Sequence, residues 1–282
     1  MTNSRLLPYL LIAPSVVFLI LLFIFPLVQT IGLAFTDQGG ASLGNFRKMV
    51  GDINFGVSLR NTFLLVAVVI PLQIGLALGM AVMLQKMEKG RDLVLWIWTI
   101  PLGVSDLAAG LVWLSILQDR GYLNSTLFAL GVIDSPTNWL SYENPTALFV
   151  GIVLAEIWRA TAIVLVILVA GFQLIPKEYF EAAEVFGATG WTRFRKITLP
   201  LLKPSLQSAL ILRTVLAFEV FAVVYALGGR NFPVLVGEAY TWMRDNQNDG
   251  VAAAYAILIM VISLAATLVY IRLLRTKPEA QA

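Results

Sequence analysis

Residues Glu181 to Pro200 read EAAEVFGATGWTRFRKITLP and lie in a polar stretch between two long apolar runs. Pro176 fits the first position of a helix, where a missing N–H costs nothing. Residues 177–186 then hold good helix formers: Lys177, Glu178, Glu181, Ala182, Ala183 and Glu184. Gly187 is placed to cap that helix, because glycine tolerates positive φ. Trp191, Phe194 and Ile197 recur at three-residue steps, so one face of a second short piece is apolar. Pro200 and Pro204 are expected to stop that piece before the next apolar run. The small Ala182 and Ala183 let a partner approach the first helix closely, and Glu181 supplies a fixed charge. Residues 174–205 therefore read as a folded elbow on which something docks. The alternative is an amphipathic segment lying on the lipid surface.

Outward from the elbow the chain is a membrane protein. Of its 282 residues 59% are hydrophobic and only 13% are charged, against about 25% charged in a soluble domain. Mean hydropathy is +0.82. There are no cysteines and no histidines. That excludes disulfides, Cys/His metal sites, cysteine nucleophiles and histidine proton relays, so neither a catalytic nor a metal-binding set is expected. The chain lacks a glycine-rich loop ending in Gly-Lys-Ser/Thr, so ATP is not expected to bind to it. A net charge of +3 without a basic cluster gives no nucleic-acid footprint.

A spanning helix needs about 20 apolar residues. Six runs qualify: 7–34, 62–84, 93–117, 146–172, 206–227 and 251–271, with polar breaks such as QKMEKGRD (85–92) and RDNQNDG (244–250). The first run is too long for a secretory leader and is read as a retained span. With the N-terminus inside, the cytoplasmic pieces carry twelve Lys and Arg, from Arg5 to Lys277, and the outer connections carry six. This bias puts both termini and the elbow in the cytoplasm. Trp139, Tyr142, Tyr240 and Trp242 then fall in the outer aromatic belt. The reading is an all-α polytopic protein with six spans and a single transmembrane domain over 1–282. The elbow lies between the fourth and fifth spans, and the tail after Arg275 is short.

Ionisable residues inside a span cost about 2.5–3.5 kcal/mol each on insertion scales, which makes them site candidates. They are Asp106, Glu156, Arg159, Arg213 and Glu219. Glu156 and Arg159, three apart, share a helix face. Asp106 follows Pro101 and Gly103, where a span unwinds locally to line a cavity. Carboxylates suit sugar hydroxyls and aromatic faces suit the C–H side of a sugar ring. Asp106, Glu156, Glu219, Trp158, Phe218 and Tyr225 supply both chemistries, and Arg159 and Arg213 keep an anionic solute open. The structural alternative is a Glu156–Arg159 pair within one helix, with Arg213 snorkelling or bonding to a partner subunit.

The spacing of Glu181-Ala182-Ala183, Gly187, Ile197, Leu199 and Pro200 resembles the EAA loop of ABC-importer permease subunits. The likeness extends along the chain. LLPYLLIAPSVVFLILLFIFPLVQTIGLAFTD (6–37), Asn45-Phe46, Arg60-Asn61-Thr62, ILVAGFQLIPKEYFEAAEVFGA (167–188), ALILRTVLAFEVFAVVYALGGR (209–230) and YIRLLR (270–275) resemble the carbohydrate-uptake, maltose/glycerol-phosphate branch. One departure is Phe186, where the family often has Asp before the glycine.

The resemblance implies a permease subunit forming half of a translocation pathway in a bacterial or archaeal inner membrane. Its implied partners are a second homologous permease, two ATPase subunits and an extracytoplasmic solute-binding protein, in contact with lipid. No cofactor is expected on this chain; ATP and Mg belong to the partner ATPase. The implied solute is a sugar or sugar derivative. A polyol, a glycerol phosphodiester or another small solute is the alternative within the family. An ion-coupled carrier is the alternative outside it.

Overall fold

The computed structural model describes residues 7–37 and 39–274. Arg5, Arg275, Lys277 and the tail, all used in the sequence reading, lie outside the described residues. Among these residues the regular structure is helical apart from one hairpin of two-residue strands. In order, the elements are α1 (Leu7–Ala34), β1 (Thr36–Asp37), β2 (Gly40–Ala41), α2 (Gly44–Val50) and α3 (Phe55–Lys86). Then follow α4 (Arg91–Thr99), α5 (Asp106–Leu117), α6 (Tyr122–Ala129), α7 (Pro145–Gln173) and α8 (Glu178–Val185). The last are α9 (Gly190–Leu201), α10 (Lys203–Phe218), α11 (Ala222–Gly228), α12 (Leu235–Arg244) and α13 (Asp249–Leu273).

Among the described residues four helices, α1, α3, α7 and α13, are long and apolar enough to cross a membrane unaided. The other two expected spans are not straight. The third bends by 98° between Arg91–Gly103 and Asp106–Ala129. Pro101 sits in a 3-10 turn over Ile100–Gly103, Val104 is extended, and Ser105 caps α5 by accepting a hydrogen bond from the Ala108 amide at 3.2 Å. The unwinding expected after Pro101 and Gly103 is therefore present. The fifth span breaks where no glycine or proline announces it. Helix α10 ends at Phe218, Phe221 takes φ −139 and ψ −60, and α11 restarts at Ala222. The break lets Val220 enter the core while Glu219 stays exposed, so Glu219 is not in mid-helix.

Contacts divide the chain into two units. In the unit made of 1–56 and 235–261, the end of α1 turns back through β1–β2 into α2. The buried Asn45 donates its amide to the carbonyls of Leu33 (3.0 Å), in the last turn of α1, and Thr36 (2.9 Å), in β1, tying the helix end to the hairpin. Trp242 Nε1 donates to Asp52 Oδ2 at 2.5 Å. A π turn over Ile20–Ile24 widens α1 just ahead of Pro26, whose ring and missing N–H disrupt the normal ladder.

The unit made of 57–234 and 262–282 is built around α7, whose Leu148, Ile152, Leu165 and Leu168 are fully enclosed. One apolar cluster joins Leu65 and Val69 of α3, Ala109 of α5, Ile152 of α7 and Val223 of α11. A second, towards the elbow, joins Ala77 and Leu84 to Leu165, Phe172, Leu202 and Ala209. Small residues bring backbones together, as expected where lipid removes the hydrophobic drive between helices. A Cβ added at Gly110 would lie 2.7 Å from Ala226 Cβ, so only glycine lets α5 reach α11. Asn124, 2% exposed, ties the connection after α5. Its amide reaches Asp119 O (3.0 Å) and Thr137 O (2.8 Å), and its carbonyl oxygen accepts from Trp139 Nε1 (3.0 Å).

Candidate functional site: elbow and charged cluster

The elbow forms from local chemistry. Lys177 precedes α8 and its carbonyl accepts from the Glu181 amide at 3.1 Å. Pro176 stands ahead of that position rather than at the first helical residue. At the other end Gly187 adopts φ +68, its amide bonding to Glu184 O and the Ala188 amide to Ala183 O, both at 2.9 Å. That bond pair is a Schellman cap and requires the left-handed residue. Thr189 then caps α9 by accepting from the Thr192 amide at 3.3 Å. Glu184 and Arg193 form an ion pair across the corner, and Trp191 stacks on Phe194 at 5.6 Å. The second piece ends at Leu201, between the two prolines, before the next span begins at Lys203. A π turn over Phe194–Thr198 leads into Leu199–Leu201, with Pro200 in its first turn, and Pro204 begins α10 after a 66° turn. Proline is tolerated at such first-turn positions.

Ala182, Ala183 and Ile197 meet at a groove of about 570 Å³ together with Tyr179, Phe186 and Lys196. Ala182 is exposed, whereas Ala183 is buried against the chain itself, so its small size serves internal packing. Glu181 lines a separate hollow of about 490 Å³ with Lys86, Lys177 and Arg193. Leu199 and Pro200 continue the backbone toward α10. Val185, Phe186 and Trp191 are 85%, 87% and 69% exposed, an apolar rim on the elbow.

The intramembrane charges fall into one cluster and one outlier. Arg213 on α10 donates to Glu156 Oε2 on α7 at 2.6 Å and to Gln73 Oε1 on α3 at 2.7 Å. Gln73 closes the ring by donating to the Glu156 carbonyl at 2.8 Å. Arg213 and Glu156 are each 1% exposed and Gln73 is fully enclosed. Arg159 lies 2.8 Å from Asp106 and 3.6 Å from Glu156, the half-exposed Asp106 sitting just past the third-span break. Arg213 therefore neither snorkels nor reaches for another subunit; it is neutralised within the chain. Glu156–Arg159 is the longer of the contacts to Glu156, because Arg213 approaches the same oxygen more closely.

Of the remaining candidates, Phe218 is in the core, edge-on to Phe63 at 5.4 Å. Trp158 is 38% exposed and edge-on to Trp113. Exposed Glu219 and half-exposed Tyr225 flank the fifth-span break, with Phe221 against Tyr225 at 5.2 Å. Sequence reading missed Gln73 and Asn124. Gln73 offered a signal, as an amide within an apolar run just after Pro71.

The profile of the family described as "Binding-protein-dependent transport system inner membrane component" matches residues 4–276. A trehalose/maltose transport system permease protein, MalF, from Thermococcus litoralis is 33% identical over 96% of this chain and 94% of its own length. The sn-glycerol-3-phosphate transport system permease protein UgpA of Agrobacterium fabrum is 31% identical over 94% of this chain and 93% of its own. The crystal structure of a bacterial ABC transporter that imports the acidic polysaccharide alginate contains a chain of the same fold. Its TM-score is 0.83 at 22% identity, covering 97% of this chain and 96% of that one. Match, relatives and fold agree over almost the whole length, and the chain belongs to the family of binding-protein-dependent transport system inner membrane components.

Proposed function

We propose that residues 1–282 act as one transmembrane permease, half of the solute pathway of an ATP-driven sugar importer. Both termini and the elbow face the cytoplasm, and the membrane is the inner membrane of a bacterium or archaeon. Glu181, Ala182, Ala183, Gly187, Ile197, Leu199 and Pro200 form the contact with one of two ATPase subunits, which hold ATP and Mg. A second permease completes the pathway and an extracytoplasmic binding protein delivers the solute. Asp106, Glu156, Trp158, Arg159, Arg213, Phe218, Glu219 and Tyr225 belong to the pathway or to its support.

The observation that carries this reading is the elbow: a doubly capped helix corner with an exposed groove and apolar rim, in a family of transport components. A nucleotide-driven motion of a partner reaches the spans only through a rigid contact that both states bias. The names of the relatives support a sugar or sugar-derived solute. The ion-coupled alternative loses ground, because Asp106 and Glu156 are engaged by arginines rather than free for protons.

The test is purification of the chain expressed with its neighbouring genes, followed by ATP hydrolysis with and without binding protein and candidate sugars. Co-purification of an ATPase with sugar-stimulated turnover supports the reading. A chain that purifies without an ATPase overturns it.

A further inference from the structure

We infer that the solute passing along this chain is an uncharged, hydroxyl-rich molecule, not a phosphorylated, sulfonated or uronic one. The inference rests on the importer reading and narrows its solute. The relatives' names include both trehalose/maltose and glycerol-3-phosphate, so kinship leaves the charge open.

An anion entering the spans needs a cation to replace its hydration shell, since an uncompensated charge there is costly. Away from the helix ends, the cations of the described spans are Arg159 and Arg213. Neither is spare. Arg213 is 1% exposed and held by Glu156 at 2.6 Å and by Gln73 at 2.7 Å. Arg159 is held by Asp106 at 2.8 Å, with Glu156 at 3.6 Å. Two arginines face two carboxylates, and the cluster is neutral. Freeing Arg159 for an anion would strip Asp106 of its partner and set two negative groups side by side.

At the second break the exposed charge is again negative. Glu219 repels an anion, and in a low-dielectric passage that repulsion is only weakly screened. What the breaks do present is sugar-binding chemistry without net positive charge. Glu219 and the half-exposed Asp106 accept hydroxyl protons, and the faces of Trp158 and Tyr225, 38% and 48% exposed, suit ring C–H groups.

The test uses the complete assembly in liposomes with its binding protein. The probes are trehalose, maltose, sn-glycerol-3-phosphate and a uronic oligosaccharide. Binding of each to the isolated binding protein is measured beside uptake and ATP turnover, so that delivery is separated from passage. The expected result is uptake of a neutral sugar and background uptake of both anions, including any anion the binding protein holds. Uptake of either anion at or above the best neutral sugar overturns the inference and leaves the importer reading standing. Absence of a co-purifying ATPase, or an ATPase that none of the four solutes stimulates, removes the sugar-importer reading and this inference with it.

A variant checks the electrostatic cause. Asp106→Asn leaves Arg159 with one fewer carboxylate, and uptake of an anion relative to the neutral sugar is expected to rise, while Asp106→Glu retains the native ratio. An unchanged ratio in Asp106→Asn overturns the assignment of selectivity to this cluster.

Discussion

Arg213 and Glu156 stand 57 positions apart and meet at 2.6 Å, both almost wholly excluded from solvent. The pair joins α10 to α7, and Gln73 adds α3, so one guanidinium ties three spans in the membrane interior.

Breaking that pair from one side is expected to be far worse than removing both charges. Glu156→Ala leaves Arg213 buried and uncompensated, a loss of about 3–5 kcal/mol. Glu156→Met with Arg213→Met is expected to recover much of it, because two well-packed apolar side chains carry no desolvation penalty. Thermal unfolding in detergent checks this. A double variant no more stable than Glu156→Ala would contradict the ion-pair account.

Gln73→Leu removes both the acceptor for Arg213 Nε and the donor to the Glu156 carbonyl. A loss of about 1–3 kcal/mol is expected from the buried guanidinium N–H left unsatisfied. Gln73→Glu puts a third carboxylate beside two arginines, and its unfolding temperature read against Gln73→Leu separates charge from hydrogen bonding.

Gly187→Val tests the elbow's cap. Space is not the obstacle, since nothing lies within 4 Å of an added Cβ, but φ is +68. A β-branched residue there costs roughly 1–2 kcal/mol of backbone strain. The spans should still insert and fold, while solute-stimulated ATP hydrolysis should fall sharply. Normal stimulation in Gly187→Val would separate the corner's shape from transmission.

Asn124→Ala releases the connection between α5 and α7 by deleting its bonds to Asp119, Thr137 and Trp139. Limited proteolysis over residues 130–144 is expected to accelerate, with the elbow's cleavage pattern unchanged. Equal cleavage rates for the variant and the native chain would show that the loop is held by its apolar packing alone.

Glu219→Ala should leave stability within about 0.5 kcal/mol, as expected for an exposed position without structural bonds, yet lower solute-stimulated turnover. Unchanged turnover across a solute titration would remove Glu219 from the pathway.

The sequence by itself determined whatever depends on neighbours along the chain. Span lengths follow from runs of about 20 apolar residues, a local quantity. Gly187 was readable as a cap because a left-handed residue is a property of one position, and the unwinding after Pro101 because proline and glycine act on their own turn. Tertiary structure decided the rest. No residue between Phe218 and Ala222 breaks a helix intrinsically; the fifth span breaks there in the fold, with Val220 in the core and Glu219 exposed. Pro200 and Pro204 mark the turn between α9 and α10, but propensity cannot say which helix each proline joins. The partners of Arg213 lie 57 and 140 positions away, and a guanidinium's pairing is settled by which helices pack, not by its own surroundings in the chain.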